Sequence, residues 1–200
     1  MQVRLALPSL FLAVLWAGPG LASMSGGSKP QSPPPGNPHL PSASAAQASG
    51  PRQEAEGIYA LAYEDIAKAK KDLAAGKTKN AEKKFKRALE RGERAVALDS
   101  TYHEAWNLVG YAARKLGDYD KAFAAYDKCL SIDPDYAPAR EYLGEAWLER
   151  GDSKKAREQL AMLEEINPGS ADTQTLRTAI EAYEAAHPAA VSSDSTGASP

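Results

Sequence analysis

Cysteine is almost missing: Cys129 stands alone among 200 residues, so the chain can close no disulfide upon itself. Histidine is scarce as well, and of three only His103 lies in a regularly patterned stretch. His103-Glu104 has no second histidine at the spacing of a metalloprotease helix, and one histidine without partner cysteines makes no zinc site. There is no Gly-x-Ser-x-Gly elbow, no phosphate loop and no dinucleotide fingerprint; Gly76-Lys77-Thr78 lacks the upstream glycine of a phosphate loop. These gaps leave no catalytic residue, no cofactor-binding residue and no metal ligand, and a non-enzymatic protein is expected.

Long apolar runs are lacking too. The one candidate, Leu5 to Trp16, is apolar apart from Pro8 and Ser9, too short for a membrane span. Arg4 before it and Gly20-Leu21-Ala22 after it fit a signal peptide over 1–22, cut after Ala22 or Ser23. Residues 23–53 are dense in Pro, Ser, Gly and Ala, with Pro33-Pro34-Pro35 among them, and read as a disordered, partly stiff linker. A second such stretch, 187–200, opens with His187-Pro188 and reads as a tail. Export is therefore predicted, to the periplasm or beyond the cell. No Asn-x-Ser/Thr acceptor occurs anywhere, and with no disulfide pair this points to a periplasm more than to a eukaryotic surface. Once the signal is removed, no stable membrane span is expected.

Between these ends the chain repeats itself every 34 residues. Gly110 recurs as Gly144, Gly117-Asp118 as Gly151-Asp152, Lys121-Ala122 as Lys155-Ala156, Ile132 as Ile166 and Pro134 as Pro168. A fixed period of this size signals stacked supersecondary units that bury their faces against one another. Gly117 and Gly151 follow apolar-periodic runs and precede aspartate, the order of a helix end, a turn and an N-cap. Asp133-Pro134 and Asn167-Pro168 then stop the second helix of each unit. Gly110 and Gly144 admit a close helix neighbour, expected to be faced by Ala122 and Ala156. Cys129 falls on an apolar stripe with Ala122, Ala125, Tyr126 and Leu130, as a small core residue.

Two units are too few for a continuous core, and the flanks supply more. Ile58 to Ala75 patterns as a helix with Tyr59, Ala62, Ile66, Ala69 and Leu73 inside. Asn80 to Leu98 patterns as its partner, with Ala81, Phe85, Ala88, Leu89 and Val96 inside. Matching both Gly76 to Gly117 and Asp99 to Asp133 requires that second helix to be seven residues longer than its counterpart, about two turns. Ser100 replaces the closing proline, so a less sharply defined end is expected. After the last unit, Ala171 to Ala186 carries Leu176, Ile180 and Tyr183 on one side and Thr173, Gln174, Arg177 and Glu181 on the other. That is the pattern of a capping helix.

His103 to Tyr136, with Trp106, Val109-Gly110, Ala113, Gly117-Asp118-Tyr119, Ala122, Tyr126, Cys129 and Pro134, resembles a full tetratricopeptide repeat (TPR). The copy 137–170 keeps Leu143-Gly144, Trp147, Gly151-Asp152, Ala156, Leu160, Leu163 and Pro168 but carries Arg140 where the first has Trp106. The resemblance implies an all-α TPR solenoid of antiparallel helix pairs over 54–186, about three repeats plus a capping helix. The repeats would be a divergent 58–102, then 103–136 and 137–170, with the cap at 171–186. It implies an interaction scaffold, placed by the signal in a secreted or periplasmic setting, that holds a protein or peptide in a groove lined by the first helix of each repeat. By that analogy the groove residues are Glu104, Asn107, Tyr111, Arg114, Lys115, Glu141, Glu145, Leu148 and Glu149.

Family members that clamp a C-terminal carboxylate use a Lys/Asn/Arg set in that groove, whereas here Glu141, Glu145 and Glu149 share one helix face. A basic or mixed-charge ligand therefore suits it better. Three stacked like charges need an offset, either from Arg114 and Lys115 of the preceding repeat or from such a ligand. Charge is also split along the chain. Residues 68–94 hold eleven Lys/Arg against four Asp/Glu, while 135–186 hold six against eleven. A solvated face, an anionic partner, or self-association of basic and acidic halves into a homo-oligomer each accounts for this. Nucleic acid does not, because the aromatic residues sit at core spacing and do not interleave with the basic ones.

Overall fold

Gly50 to Pro188 are described by a computed structural model. The expected signal 1–22, residues 23–49 of the linker and residues 189–200 of the tail lie outside the described residues. Among the described residues seven helices follow one another: α1 Pro51–Ala74, α2 Thr78–Leu98, α3 His103–Lys115, α4 Tyr119–Ile132, α5 Ala137–Glu149, α6 Ser153–Ile166 and α7 Ala171–Ala186. Among the described residues there is no strand, and no helix is long and apolar enough to cross a membrane. The helices pack as the pairs α1/α2, α3/α4 and α5/α6, each pair resting on the next, with α7 against both α5 and α6.

The turn inside each pair is built from the same three groups. Gly76, Gly117 and Gly151 have φ of 71°, 82° and 85°, the left-handed region where a side chain would be strained. The residue after each glycine sends its N–H back five residues: Lys77 to Asp72 O (2.8 Å), Asp118 to Ala113 O (3.0 Å) and Asp152 to Trp147 O (2.9 Å). This closes the helix and satisfies carbonyls that would otherwise lack partners. Asp118 and Asp152 then cap the next helix by accepting from the N–H of Lys121 (3.2 Å) and Lys155 (3.0 Å). In the first pair Lys77 occupies that place and caps nothing with its side chain.

The second helices end in register at Asp99, Asp133 and Asn167, whose N–H groups donate to the carbonyls of Ala95, Cys129 and Leu163. α2 has 21 residues against 14 in α4 and in α6, seven more. Its end is as sharp as the others despite Ser100, because the Asp99 carboxylate accepts from both the N–H (2.9 Å) and the hydroxyl (2.6 Å) of Thr101. Position 140 holds a related substitution. Trp106 donates its indole N–H to Ser100 O at 3.0 Å, and Arg140, one period on, donates Nε and a terminal N–H to Pro134 O at 3.0 and 2.6 Å. Different side chains thus satisfy the same carbonyl, six residues upstream of each.

Several expectations need correction. α1 starts at Pro51, inside the stretch read as linker and ahead of the expected domain start at 54. Pro51 suits the first helical turn, Ala55 is fully buried, and Arg52 lies 3.8 Å from the centre of the Tyr102 ring while pairing with Asp99 at 3.0 Å. Leu73, expected inside, is exposed near the end of α1. Thr173, expected outside, is fully buried and donates its hydroxyl to Asn167 O at 2.7 Å. Asp65, passed over in the sequence, is buried as well and is held by Arg87 and by Arg91, the latter at 2.5 Å. Cys129 is buried as expected, and its thiol is pushed up to about 12 by burial.

The paired glycines do admit close neighbours, but not the expected alanines. A Cβ built on Gly110 would lie 2.6 Å from the Tyr126 ring, and one on Gly144 would lie 2.6 Å from Leu176 of α7. Gly144→Leu is therefore expected to lower stability by about 2–4 kcal/mol through overpacking. Chemical denaturation of the full chain measures this; an unchanged midpoint contradicts the crossing.

Candidate functional site

The first helices of the three repeats meet on one side of the fold. Tyr59, Tyr63, Ile66 and Lys70 of α1, Asn107, Leu108 and Tyr111 of α3, and Tyr142 of α5 line a solvent-open cleft of about 30 Å³. Helical spacing puts the α1 residues on one face, and α1 is long enough to lie across α3. The walls are aromatic. The Tyr111 and Tyr142 rings are 5.0 Å apart and tilted, Tyr59 and Tyr63 are 6.3 Å apart, and Tyr111 reaches Phe85 beneath at 6.3 Å. Burial pushes the Tyr111 hydroxyl up to about 12. Three cations surround this ring: Lys70 at 4.8 Å and Arg114 and Lys115 each at 5.5 Å from its centre.

At the floor, Asn107 is 4% exposed and its Oδ1 is buried without a hydrogen-bond partner. A buried acceptor left unmatched costs on the order of 1–3 kcal/mol, so this atom is set there at the expense of stability. Of the groove residues expected from sequence, Asn107 and Tyr111 line the cleft. The others are placed differently. Arg114, 3% exposed, crosses from α3 to α5 and pairs with Glu145 at 2.5 Å and Glu149 at 3.2 Å. Lys115 adds a contact to Glu149 at 3.8 Å, and the Tyr119 hydroxyl donates to the same carboxylate at 3.2 Å. The acidic strip is thus offset from within the fold, as one of the two expected routes had it. Leu148 is a core residue packed with Ala156, Leu163, Leu176 and Ile180. Glu104 sits outside the cleft, near His103 (3.2 Å) and Arg52 (3.9 Å).

Glu141 is 7% exposed, so most of the side chain has left water. Burial, a hydrogen bond with Asp172 of α7 and the nearby Glu145 charge push its carboxyl up to about 9. At neutral pH Glu141 therefore stays protonated, which removes a third negative charge from the strip.

Tyr63, Ile66, Lys70 and Tyr142 were not singled out as groove residues from the sequence. A signal for three of them was present. Gly76 precedes Gly117 by 41 residues, and stepping back by 41 from Glu104, Asn107 and Tyr111 lands on Tyr63, Ile66 and Lys70. Tyr142 carried no such mark, because it belongs to no matched groove position.

Two family models described as tetratricopeptide repeat match residues 66–137 and 113–180, together more than half of the chain. The protein belongs to the tetratricopeptide repeat family. No curated protein matches the sequence. Among solved structures, the fold is similar to the type III secretion translocator chaperone SycD of Yersinia enterocolitica in an alternative dimer. That likeness has a TM-score of 0.51 at 19% identity and covers 66% of this chain and 89% of that one. The same chaperone in complex with a peptide of the translocator YopD gives 0.50 at 19% identity, with the same coverage.

Glu141 makes stability pH-dependent with a defined sign. Its folded pKa lies above the unfolded value, so its contribution is fully present below the unfolded pKa, near 4.5. It is lost as pH rises through the folded pKa near 9. Glu141→Gln, which cannot ionise, should gain stability relative to the parent between pH 5 and pH 8.5. Urea midpoints at both values measure this; a gap that stays constant contradicts the buried, protonated state.

Proposed function

We propose that this protein is an exported, non-catalytic scaffold that holds a peptide segment of a protein partner in the cleft formed by α1, α3 and α5. The observation that carries this reading is the juxtaposition, on one open face, of four tyrosine rings with a buried, unpartnered Asn107 acceptor. A peptide brings both things such a site needs: apolar side chains for the rings and backbone N–H donors for the amide. The Yersinia chaperone is a precedent for the fold, since it is found with a translocator peptide, though at 19% identity the likeness reaches the fold alone. Among the described residues no grouping of His, Cys, Asp and Glu has the arrangement to hold a metal.

The stretch 1–22 supports export, to the periplasm or beyond. A photo-crosslinking amino acid at Tyr63 should capture a partner in the living cell, and one at Lys83, on the exposed face of α2, should not. The mature chain recovered from fractionated cells should begin at Ser23 or Met24. Equal capture at both positions, or an intact N-terminus in a cytosolic fraction, contradicts the respective half of the proposal.

A second reading, self-association, is favoured by apolar side chains exposed at opposite ends of the helix order. Leu61 and Leu73 lie on α1, next to the basic stretch, and Met162 and Ile166 on α6, next to the acidic one. If these ends meet, light scattering of the full chain should show assemblies at low salt that shrink as ionic strength rises. A monomer throughout excludes them.

A further inference from the structure

The junctions between successive helix pairs are not packed alike. Where the second pair meets the third, Arg114, Tyr119 and Phe123 all reach across to α5. Arg114 pairs with Glu149 at 3.2 Å, the Tyr119 hydroxyl donates to the same carboxylate at 3.2 Å, and the Phe123 ring stacks on Trp147 at 4.0 Å. Arg150 closes over the Tyr119 ring at 5.3 Å. At the junction of the first pair with the second, the matching positions lie 41 residues earlier on α1 and α2 and 34 residues earlier on α3. There Leu73, Thr78 and Glu82 stand for Arg114, Tyr119 and Phe123, and Ala113 and Leu116 stand for Trp147 and Arg150. Every ring of the second junction is missing from the first. Thr78 is too short to cross, and Glu82 turns to Lys86 of its own helix at 2.7 Å.

The space those rings would take stays open as a pocket of about 400 Å³, a size within the range of ligand sites. Leu73, Phe85 and Leu116 form its apolar wall, Thr78 and Glu82 flank it, and Lys86 and Lys115 bring positive charge. Leu73 is left 44% exposed because no ring covers it. This pocket lies at the turn end of the pairs and shares no lining residue with the cleft of α1, α3 and α5.

Its charge is positive. Glu82 is the one acid in the lining, against Lys86 and Lys115. Around Lys115 the carboxylates Glu149 and Glu145 are matched by Arg114 and Lys70. Lys77 and Lys79, at the adjoining α1–α2 turn, are exposed and form no ion pair among the described residues. The chain itself offers no ring to fill the place. Residues 23–49 and 189–200 contain no Phe, Tyr or Trp, and Phe11 and Trp16 fall in the expected signal. Among the described residues no aromatic side chain is exposed, so a second copy presents none either.

We propose that this pocket is a docking site for an acidic segment of another protein, which seats one Phe, Tyr or Trp side chain on Leu73, Phe85 and Leu116. The incoming ring takes the place that Tyr119 and Phe123 fill one pair further on, and carboxylates beside it meet Lys86, Lys115 and the turn lysines. The site stands whether or not the cleft of α1, α3 and α5 is occupied.

Backbone amide NMR of the full chain tests this, with acetylated and amidated Asp-Glu-Trp-Glu-Asp as the probe. Asp-Glu-Ala-Glu-Asp and Lys-Lys-Trp-Lys-Lys serve as controls. The acidic Trp peptide should shift the amides of Leu73, Phe85 and Leu116 to saturation, and both controls should bind at least about tenfold more weakly. Thr78→Tyr combined with Glu82→Phe restores two rings and removes the acid. This chain should lose about tenfold in affinity for the Trp peptide while unfolding no earlier than the parent. It carries more positive charge than the parent, so that loss has to come from the filled pocket; Thr78→Tyr alone repeats the test if the double change lowers stability. Lys115→Gln should weaken binding by about threefold and reduce its dependence on salt. Equal affinity for the Trp and Ala peptides would leave only a lysine-rich surface, and unaltered binding to both filled chains would put the peptide elsewhere. Either result overturns the proposal. So do shifts confined to Tyr63, Asn107 and Tyr142, shifts that follow chain concentration without peptide, and no shift at millimolar peptide.

Discussion

The close approach of a bulky side chain to a glycine backbone is the constraint on which the rest of this fold depends. Tyr126 lies against Gly110 within one pair, and Leu176 of the capping helix lies against Gly144. Amphipathic helices of 13 or 14 residues are marginal alone, and each here hides its stripe only by packing on its neighbours. Without a Cβ at these crossings the helices can approach closely enough to leave no gap. The spacing of first helices follows from that approach, and with it the distance between Tyr111 and Tyr142 across which the cleft is defined.

Charge is arranged to serve this packing before it serves anything outside. Asp65 and Arg114 are both almost fully buried, and each meets two opposite charges from a neighbouring helix. Removing one member of such a group leaves a buried charge without compensation, which is far more costly than the group is stabilising. These networks therefore act as registration devices between α1 and α2 and between α3 and α5. They also absorb much of what looked, in the sequence, like surface charge for a partner. Within the basic stretch 68–94, Lys68, Lys84, Lys86, Arg87 and Arg91 all pair with carboxylates of the same chain.

The fold leaves a few of its buried polar groups incomplete. Backbone carbonyls at the repeat boundaries are satisfied even where the side chain changes, as Trp106 and Arg140 show. Asn107 Oδ1 is not served in this way by the protein. The Arg114 Nε, the Tyr126 hydroxyl and one Glu104 carboxylate oxygen are likewise buried without a hydrogen-bond partner.

The sequence by itself determined the repeat step, the all-α class, the three left-handed glycine turns and the seven extra residues of α2. It could do so because each is written in local patterns: glycine before aspartate, apolar spacing at 3.6 residues, and matched stops at Asp99, Asp133 and Asn167. Resemblance to the family, not the repeat step, placed Asn107 and Tyr111 in the groove. What only the tertiary structure decided was which side chains face which across helices. Tyr126 and Leu176, not Ala122 and Ala156, cover the glycines; Leu148 is core; Arg114 is buried between two glutamates; and Lys70 comes from a helix whose groove face the 34-residue step does not reach. Periodicity tells which face of a helix a residue occupies. The length and direction of a side chain, and the charge that another helix brings to it, are settled only when the helices are stacked.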